Sequence, residues 1–177
     1  MSLSACMSDT QQPTTLPPAS TPSPGPTAAP STTASVVTPV PPPEMSERTA
    51  AGAQATARYY FAVVDYSYAS RNTSLLLAVS HSECAPCERV TQLIENALSS
   101  DATYRRAPTV ISHIGDIVGD PSGPVELDVT YSSSGLSKLD DKGSLIASTE
   151  AVVEQRLRLL LVPADTTWLV RNYKEVT

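Results

Sequence analysis

Three cysteines carry the chemistry most readily available to this chain: Cys6, Cys84 and Cys87. Cys84-Ala85-Pro86-Cys87 sets two thiols close together at the head of a segment with helical periodicity. Such a pair can form a disulfide, exchange disulfides or hold a metal. A helix N-terminus stabilises a thiolate and makes it reactive. Here Glu83 and Glu88 flank the pair, and their negative charge works against a thiolate. A structural zinc takes four ligands, and only His81 stands near, so no metal is expected. The reading is a structural disulfide, with thiol-disulfide exchange as the alternative.

Cys6 follows Leu3-Ser4-Ala5, and the four residues together resemble a bacterial lipobox. That motif puts a branched apolar residue and two small ones before a Cys that receives a diacylglycerol. Only five residues precede Cys6 and none is charged. A signal peptide has a basic n-region and an apolar h-region there. The expectation is therefore the remnant of a signal peptide, with the true start upstream. Lipid on Cys6 would be the membrane attachment, since no 18-residue apolar run is present. Cys6 acylated leaves Cys84 and Cys87 as a pair, which suits an exported protein.

The apolar run Leu75–Val79, the CxxC and Ala107-Pro108-Thr109 together resemble thioredoxin. Two observations oppose that likeness. Only 20 residues lie between Cys87 and Pro108, too few for the strand and helix thioredoxin needs there. Ser82-Glu83 also stand where an aromatic residue normally precedes the first Cys.

Other candidate side chains read as structural. His81 sits beside the CxxC, and His113 lies within a strand. Asp65, Tyr66 and Tyr68 end a helical stretch and could line a pocket mouth, although a face packed on a sheet explains them equally. Glu126 and Asp128 on one strand, and Glu154, Arg156 and Arg158 on another, fit cross-strand ion pairing. No Gly-rich phosphate loop and no Ser-His-Asp arrangement is found, so no cofactor and no catalytic residue is assigned.

The elements that position these residues divide in two. Residues 1–44 hold 11 of the 16 prolines, two charges and no aromatic residue. Such a segment cannot bury enough apolar surface to offset the entropy of ordering, and reads as a disordered tether. Extended at about 3.1 Å per residue, it reaches on the order of 120 Å. Residues 45–177 hold all 12 basic residues against 16 acidic ones, all seven tyrosines, Phe61 and Trp168. That is one domain in size. Its lack of a basic patch excludes nucleic acid as a partner.

Within the domain, Ala53, Ala57, Tyr60, Val64 and Tyr68 recur at helical spacing, predicting one long helix over 47–69 with Ser46 as its cap. Thr73–Val79 is an apolar run of either type. A helix through Pro86–Leu98 follows, with a stripe of Val90, Leu93, Ile94 and Ala97. Val110–Val118 reads as a strand. Val125, Leu127, Val129 and Tyr131 alternate with polar residues, as do Val153, Gln155, Leu157, Leu159 and Leu161. Thr167–Tyr173 closes the chain. Helices first and antiparallel strands after imply an α+β fold with helices on one face of a bent sheet.

Several features in order are similar to an actinobacterial lipoprotein family of unknown function. They are Gly52-Ala53, Tyr59-Tyr60-Phe61, Tyr66-Ser67-Tyr68-Ala69, Asn72-Thr73 before a leucine run, and the CxxC. The final Thr167-Trp168-Leu169-Val170 resembles the closing hairpin of the nuclear transport factor 2-like superfamily. The resemblance implies a cone-shaped α+β domain over about 47–177, with Tyr60, Val64, Tyr68, His113 and Trp168 as candidate pocket residues. Strand alternation and the size of the indole place Trp168 inside the cone, against the long helix near Tyr60 or Val64. The lipobox-like start and tether, with no catalytic constellation found, point to an extracytoplasmic protein, lipid-anchored through Cys6, that binds an envelope ligand or protein without catalysis.

Overall fold

A computed structural model describes residues 36–176 of the chain. Cys6, the lipobox-like residues and the tether as far as residue 35 lie outside the described residues. The expected boundary between Glu44 and Met45 falls inside a 3-10 turn, Pro43–Ser46, whose Met45 is buried.

Helix α1 spans Ala50–Ser70. Its cap is Thr49, whose hydroxyl accepts from the Gly52 N–H at 3.1 Å. Ser46, the expected cap, instead donates to the Pro43 carbonyl and closes the preceding turn. Gly52 is obligatory at this entry: a Cβ there would stand 2.1 Å from the Glu47 carbonyl oxygen. Residues are buried over most of the circumference of α1, from Ala53 to Tyr68, leaving one exposed stripe through Arg58, Ala62 and Ala69. So wide an apolar face needs partners on several sides. Accordingly α1 packs against the 3-10 turn, two further helices and the sheets. Those helices are α2, Ser74–Val79, and α3, Ala85–Ser99. No described helix is long and apolar enough to cross a membrane.

The stripe on α3 is rotated from the one expected. Pro86, Cys87, Thr91, Ile94 and Ala97 are buried, whereas Leu93 is 39% exposed. Thr91 goes inside because its hydroxyl donates to the Cys87 carbonyl one turn back, at 3.2 Å.

Seven strands follow: β1 Thr103–Arg105, β2 Val110–Ile114, β3 Val125–Ser133, β4 Ser137–Leu139, β5 Leu145–Ser148, β6 Val152–Ala164 and β7 Thr167–Val176. The main antiparallel sheet has the order β2-β3-β6-β7, and a small one the order β1-β4-β5. Val125, Leu127 and Val129 of β3 and Leu157, Leu159 and Leu161 of β6 turn inward, as their alternation requires. Val153 departs from the pattern and is exposed. The β3–β6 register shifts beside it, with Glu154 at φ 48°, and an irregularity of this kind resets the alternation. The result is the expected architecture of helices packed on a bulged antiparallel sheet.

Candidate ligand-binding cavity

Consecutive residues of α1 face different surroundings. Tyr59 borders a groove of about 490 Å³ with Trp168, Met45, Val79 and the prolines 41–43. Tyr60 borders a cavity of about 120 Å³ with Phe61, Val64, Tyr68, Tyr131 and Tyr173. The expected pocket residues therefore separate. Tyr60, Val64 and Tyr68 come together in the cavity. Trp168 lies elsewhere, fully buried, with its indole N–H donating to the Glu47 carbonyl at 2.8 Å. It shares its groove with Tyr59 of α1, and belongs to the same core cluster as Tyr60 and Val64. Trp168 pairs near the start of β7, whereas the ring that meets Tyr60 is that of Tyr173, further along the strand, at 6.0 Å.

His113 also lies apart. It is exposed on the outer face of the sheet, in a shallow site with Asp116, Glu126, Asp128, Arg156 and Arg158. A register shift between Ile111 and His113 breaks the alternation of β2. The charges on this face pair across strands as expected. Arg158 donates to both oxygens of Asp128, at 2.7 and 3.1 Å, and this hydrogen bonding holds the Asp128 carboxyl below its usual range.

Cys84 and Cys87 form a disulfide, both 2% exposed. Cys84 caps α3, its sulfur accepting from the Cys87 N–H at 3.3 Å. Pro86 stands at the start of the helix, where a missing N–H costs nothing. The Tyr60 hydroxyl donates to Cys87 Sγ at 3.5 Å, so the bridge abuts a wall of the cavity. His81 holds the preceding loop, with Nδ1 accepting from the Glu83 N–H at 3.1 Å. Pro108 lines a separate groove beside Asp65, away from the cysteines. The thioredoxin-like juxtaposition of a proline loop with the CxxC is not formed.

The rings of the cavity meet at inclined angles. Phe61 and Tyr131 stand 5.1 Å apart at 45°, and Tyr60 meets Phe61 edge-on at 6.0 Å. Burial pushes the Tyr60 hydroxyl well above the ordinary tyrosine range, with the Tyr173 phenol adding to the shift. Burial also raises Tyr68, Tyr131 and Tyr173. Four phenols thus stay neutral around the cavity at any physiological pH.

Arg106 completes the wall and was not singled out from the sequence. Its Nε and Nη2 both donate to Asp65 Oδ1, the former at 2.9 Å, and Nη2 also donates to Thr109 Oγ1 at 2.9 Å. Thr109 donates its N–H to Asp65 Oδ2 at 2.6 Å. Asp65, expected at a pocket mouth, therefore clamps the 106–109 segment onto α1. The guanidinium carbon lies 5.0 Å over the Tyr68 ring. Phe61, Arg106 and Thr109 line the cavity on one side and an outer groove of about 390 Å³ on the other. The only sequence signal for this clamp was Arg105-Arg106 ahead of Ala107-Pro108, where proline holds the preceding residue extended. Its partner lies 41 residues away.

A family model matches residues 26–173, described as a family of unknown function (DUF6318). The chain belongs to this family. No curated protein sequence matches it. Among solved structures, the intermembrane space region of chloroplast protein ARC6 superposes with a TM-score of 0.53 at 9% identity, covering 73% of this chain and 97% of that one. Aln2 from a Streptomyces species gives 0.44 at 11% identity, covering 70% and 88%. An uncharacterised protein with a cystatin-like fold from Caulobacter vibrioides gives 0.40 at 13%, covering 71% and 87%. At these identities the first likeness concerns the fold alone. The fold class is the expected one at the level of α+β, helices first and antiparallel sheets after.

Proposed function

We propose that this protein is an actinobacterial cell-envelope lipoprotein whose domain is a non-catalytic binding module, with the tyrosine-lined cavity as its ligand site. The observation that carries the reading is the state of the cavity's polar groups. Arg106 and Thr109 of the lining are held by Asp65, which borders the outer groove and accepts on both oxygens, and the phenols are held protonated. Burial with a few convergent polar groups describes a binding site. A general base ready to take a proton is not among its walls. The larger groove at Trp168 has no charged group in its lining, and so offers less to orient a ligand.

Leu3-Ser4-Ala5-Cys6 and the proline-rich residues up to 44 support anchoring, with lipid on Cys6 and the domain held off the membrane. Two or more acyl chains anchor firmly where one binds marginally. The oxidoreductase reading has less support, because both sulfurs are buried and Glu83 and Glu88 adjoin them.

Two measurements test the proposal. Expressed with its native upstream region, the wild type should fractionate with membranes and Cys6→Ala should not. Identical fractionation of the two overturns the anchor. For the cavity, toluene titrated into the labelled protein should shift the ring resonances of Tyr60, Tyr68, Tyr131 and Tyr173. Unmoved rings at saturating toluene overturn the binding site.

A further inference from the structure

We infer that the cavity takes a neutral, single-ring aromatic molecule carrying one hydrogen-bond acceptor, which Arg106 reads. The inference rests on the cavity being the binding site, and adds what chemistry fills it.

Size sets the first limit. Drug-sized ligands occupy pockets of about 300–1,000 Å³. This cavity holds about 120 Å³. An engineered apolar cavity of about 150 Å³ admits benzene. One ring is therefore the largest planar group that fits here without displacing a wall.

The walls set the second. Aromatic pairs favour offset or edge-to-face contact. Phe61, Tyr60 and Tyr131 are already inclined to one another and present both edges and faces. A flat ring gains such contacts where a branched aliphatic group of equal volume gains only area.

The polar end sets the third. Arg106 uses Nε and Nη2 on Asp65 and Thr109, and Nη1 has no protein partner among the described residues. Arg106 lines both the cavity and the outer groove, so a ligand in the cavity stands beside this side chain. The same guanidinium counters the burial of the Tyr68 and Tyr131 phenols, so its charge is felt inside the cavity.

Charge sets the last. Asp65 already neutralises Arg106, and the two side chains are only 18% and 16% exposed. A ligand anion would bring a second negative charge near Asp65 with no unpaired cation in the cavity's own lining, and burying it would cost more than it gains. A ligand cation would meet Arg106 itself. A neutral acceptor, a hydroxyl or carbonyl oxygen, avoids both penalties and completes the donors of Arg106.

Phenol and toluene differ by a hydroxyl against a methyl in nearly the same shape, so they form the test, with benzoate as the anionic control. Affinities come from the tyrosine ring shifts. A hydrogen bond from a charged donor predicts phenol tighter than toluene by at least about tenfold. Benzoate should bind more weakly than phenol. In Arg106→Lys the charge toward Asp65 remains but the planar fork is lost. The phenol-to-toluene ratio should then fall to about threefold or less. Equal binding of phenol and toluene to the wild type overturns the inference while the binding site stands. Benzoate binding tighter than phenol, or a ratio that survives Arg106→Lys, overturns it too. If none of the three moves the rings, the cavity reading falls along with it. The wild-type ratio is decisive even if the lysine variant does not fold.

Discussion

Tyr59 and Tyr60 are neighbours in sequence on one helix, yet the regions they face are built for different ends. On the Tyr59 side, the largest side chain of the domain is sealed. Trp168 has no exposed surface, and its one polar atom is satisfied by the Glu47 backbone. On the Tyr60 side, comparable aromatic mass is present but does not fill the space. Tyr131 and Tyr173 are only partly buried, and the rings incline around a void. In the first, an open groove lies over Trp168, but the indole itself is packed to hold the helix, the strand and the incoming chain together. The second accepts imperfect packing and keeps polar groups where a ligand can meet them. Cores are normally filled to crystal-like density, so a void ringed with hydroxyls marks a region under another requirement.

The sharpest way to break this comparison is to empty the sealed side. Trp168→Ala removes a fully buried indole and leaves the Glu47 carbonyl without its donor. The expected loss is about 3–5 kcal/mol, read from urea unfolding. Native tryptophan emission should be strongly blue-shifted relative to free indole, and an ionic quencher should not reach it. A loss below about 0.5 kcal/mol, the ordinary scale of a surface change, or ready quenching, would place the indole outside and erase the contrast.

On the cavity side the matching change is Asp65→Asn, which keeps the shape but removes the charge that orients Arg106. Hydrogen bonds to charged groups contribute about 1.5–3 kcal/mol each. Partial exposure of the pair lowers the expectation to about 2 kcal/mol or less. The variant should also lose ligand selectivity, because Arg106 is no longer fixed over Tyr68. Trp168→Ala should leave that selectivity in whatever fraction folds. If the two variants affect ligand preference alike, the regions are not separable.

How much of this was legible beforehand depends on whether one face or two carried the signal. The alternation of β3 was legible because one face is wet: Glu126, Asp128 and Thr130 fall between Val125, Leu127 and Val129. Burial of Trp168 was legible from residue type. Its partner was not, because the buried face of α1 covers more than half of the helix and periodicity then cannot say which part of it meets which element. Short strands such as β1 and β4 carry too few residues for a period to show. Arg106 was illegible for a different reason. Its role comes from Asp65 far away in sequence, and a clamp between distant residues leaves no local pattern.

The disulfide abuts the Tyr60 side and should matter less than either change above. Cys84 and Cys87 close a very short loop, which restrains little chain entropy. The loop-entropy relation gives about 2 kcal/mol or less, the low end of typical values. Mass measurement without reductant should show both cysteines oxidised. Reduction should cost at most that amount and loosen the Tyr60 ring through its contact with Cys87. Two free thiols in freshly isolated protein would remove this link.

The smallest effect belongs to the outer face of the sheet, where neither packing nor a cavity is at stake. Asp128 is held below the ordinary carboxylate range, first by its hydrogen bonds from Arg158 and then by the charges of Arg158 and Arg156. A depressed folded-state value means that the unfolded chain binds a proton more readily. The contribution to stability is therefore fully present above the unfolded value of about 3.9 and is lost as pH falls through the folded value. Asp128→Asn should be slightly less stable than wild type at neutral pH. The gap should stay constant down to about pH 5 and close as pH drops below about 4. Added salt should narrow it as well, because the pair is partly exposed. Urea unfolding of both proteins across that range is the measurement. A gap that persists unchanged at the acid end would show that Asp128 acts through shape instead of charge. The outer face would then resemble the Trp168 side, contrary to the division drawn between packed and polar regions.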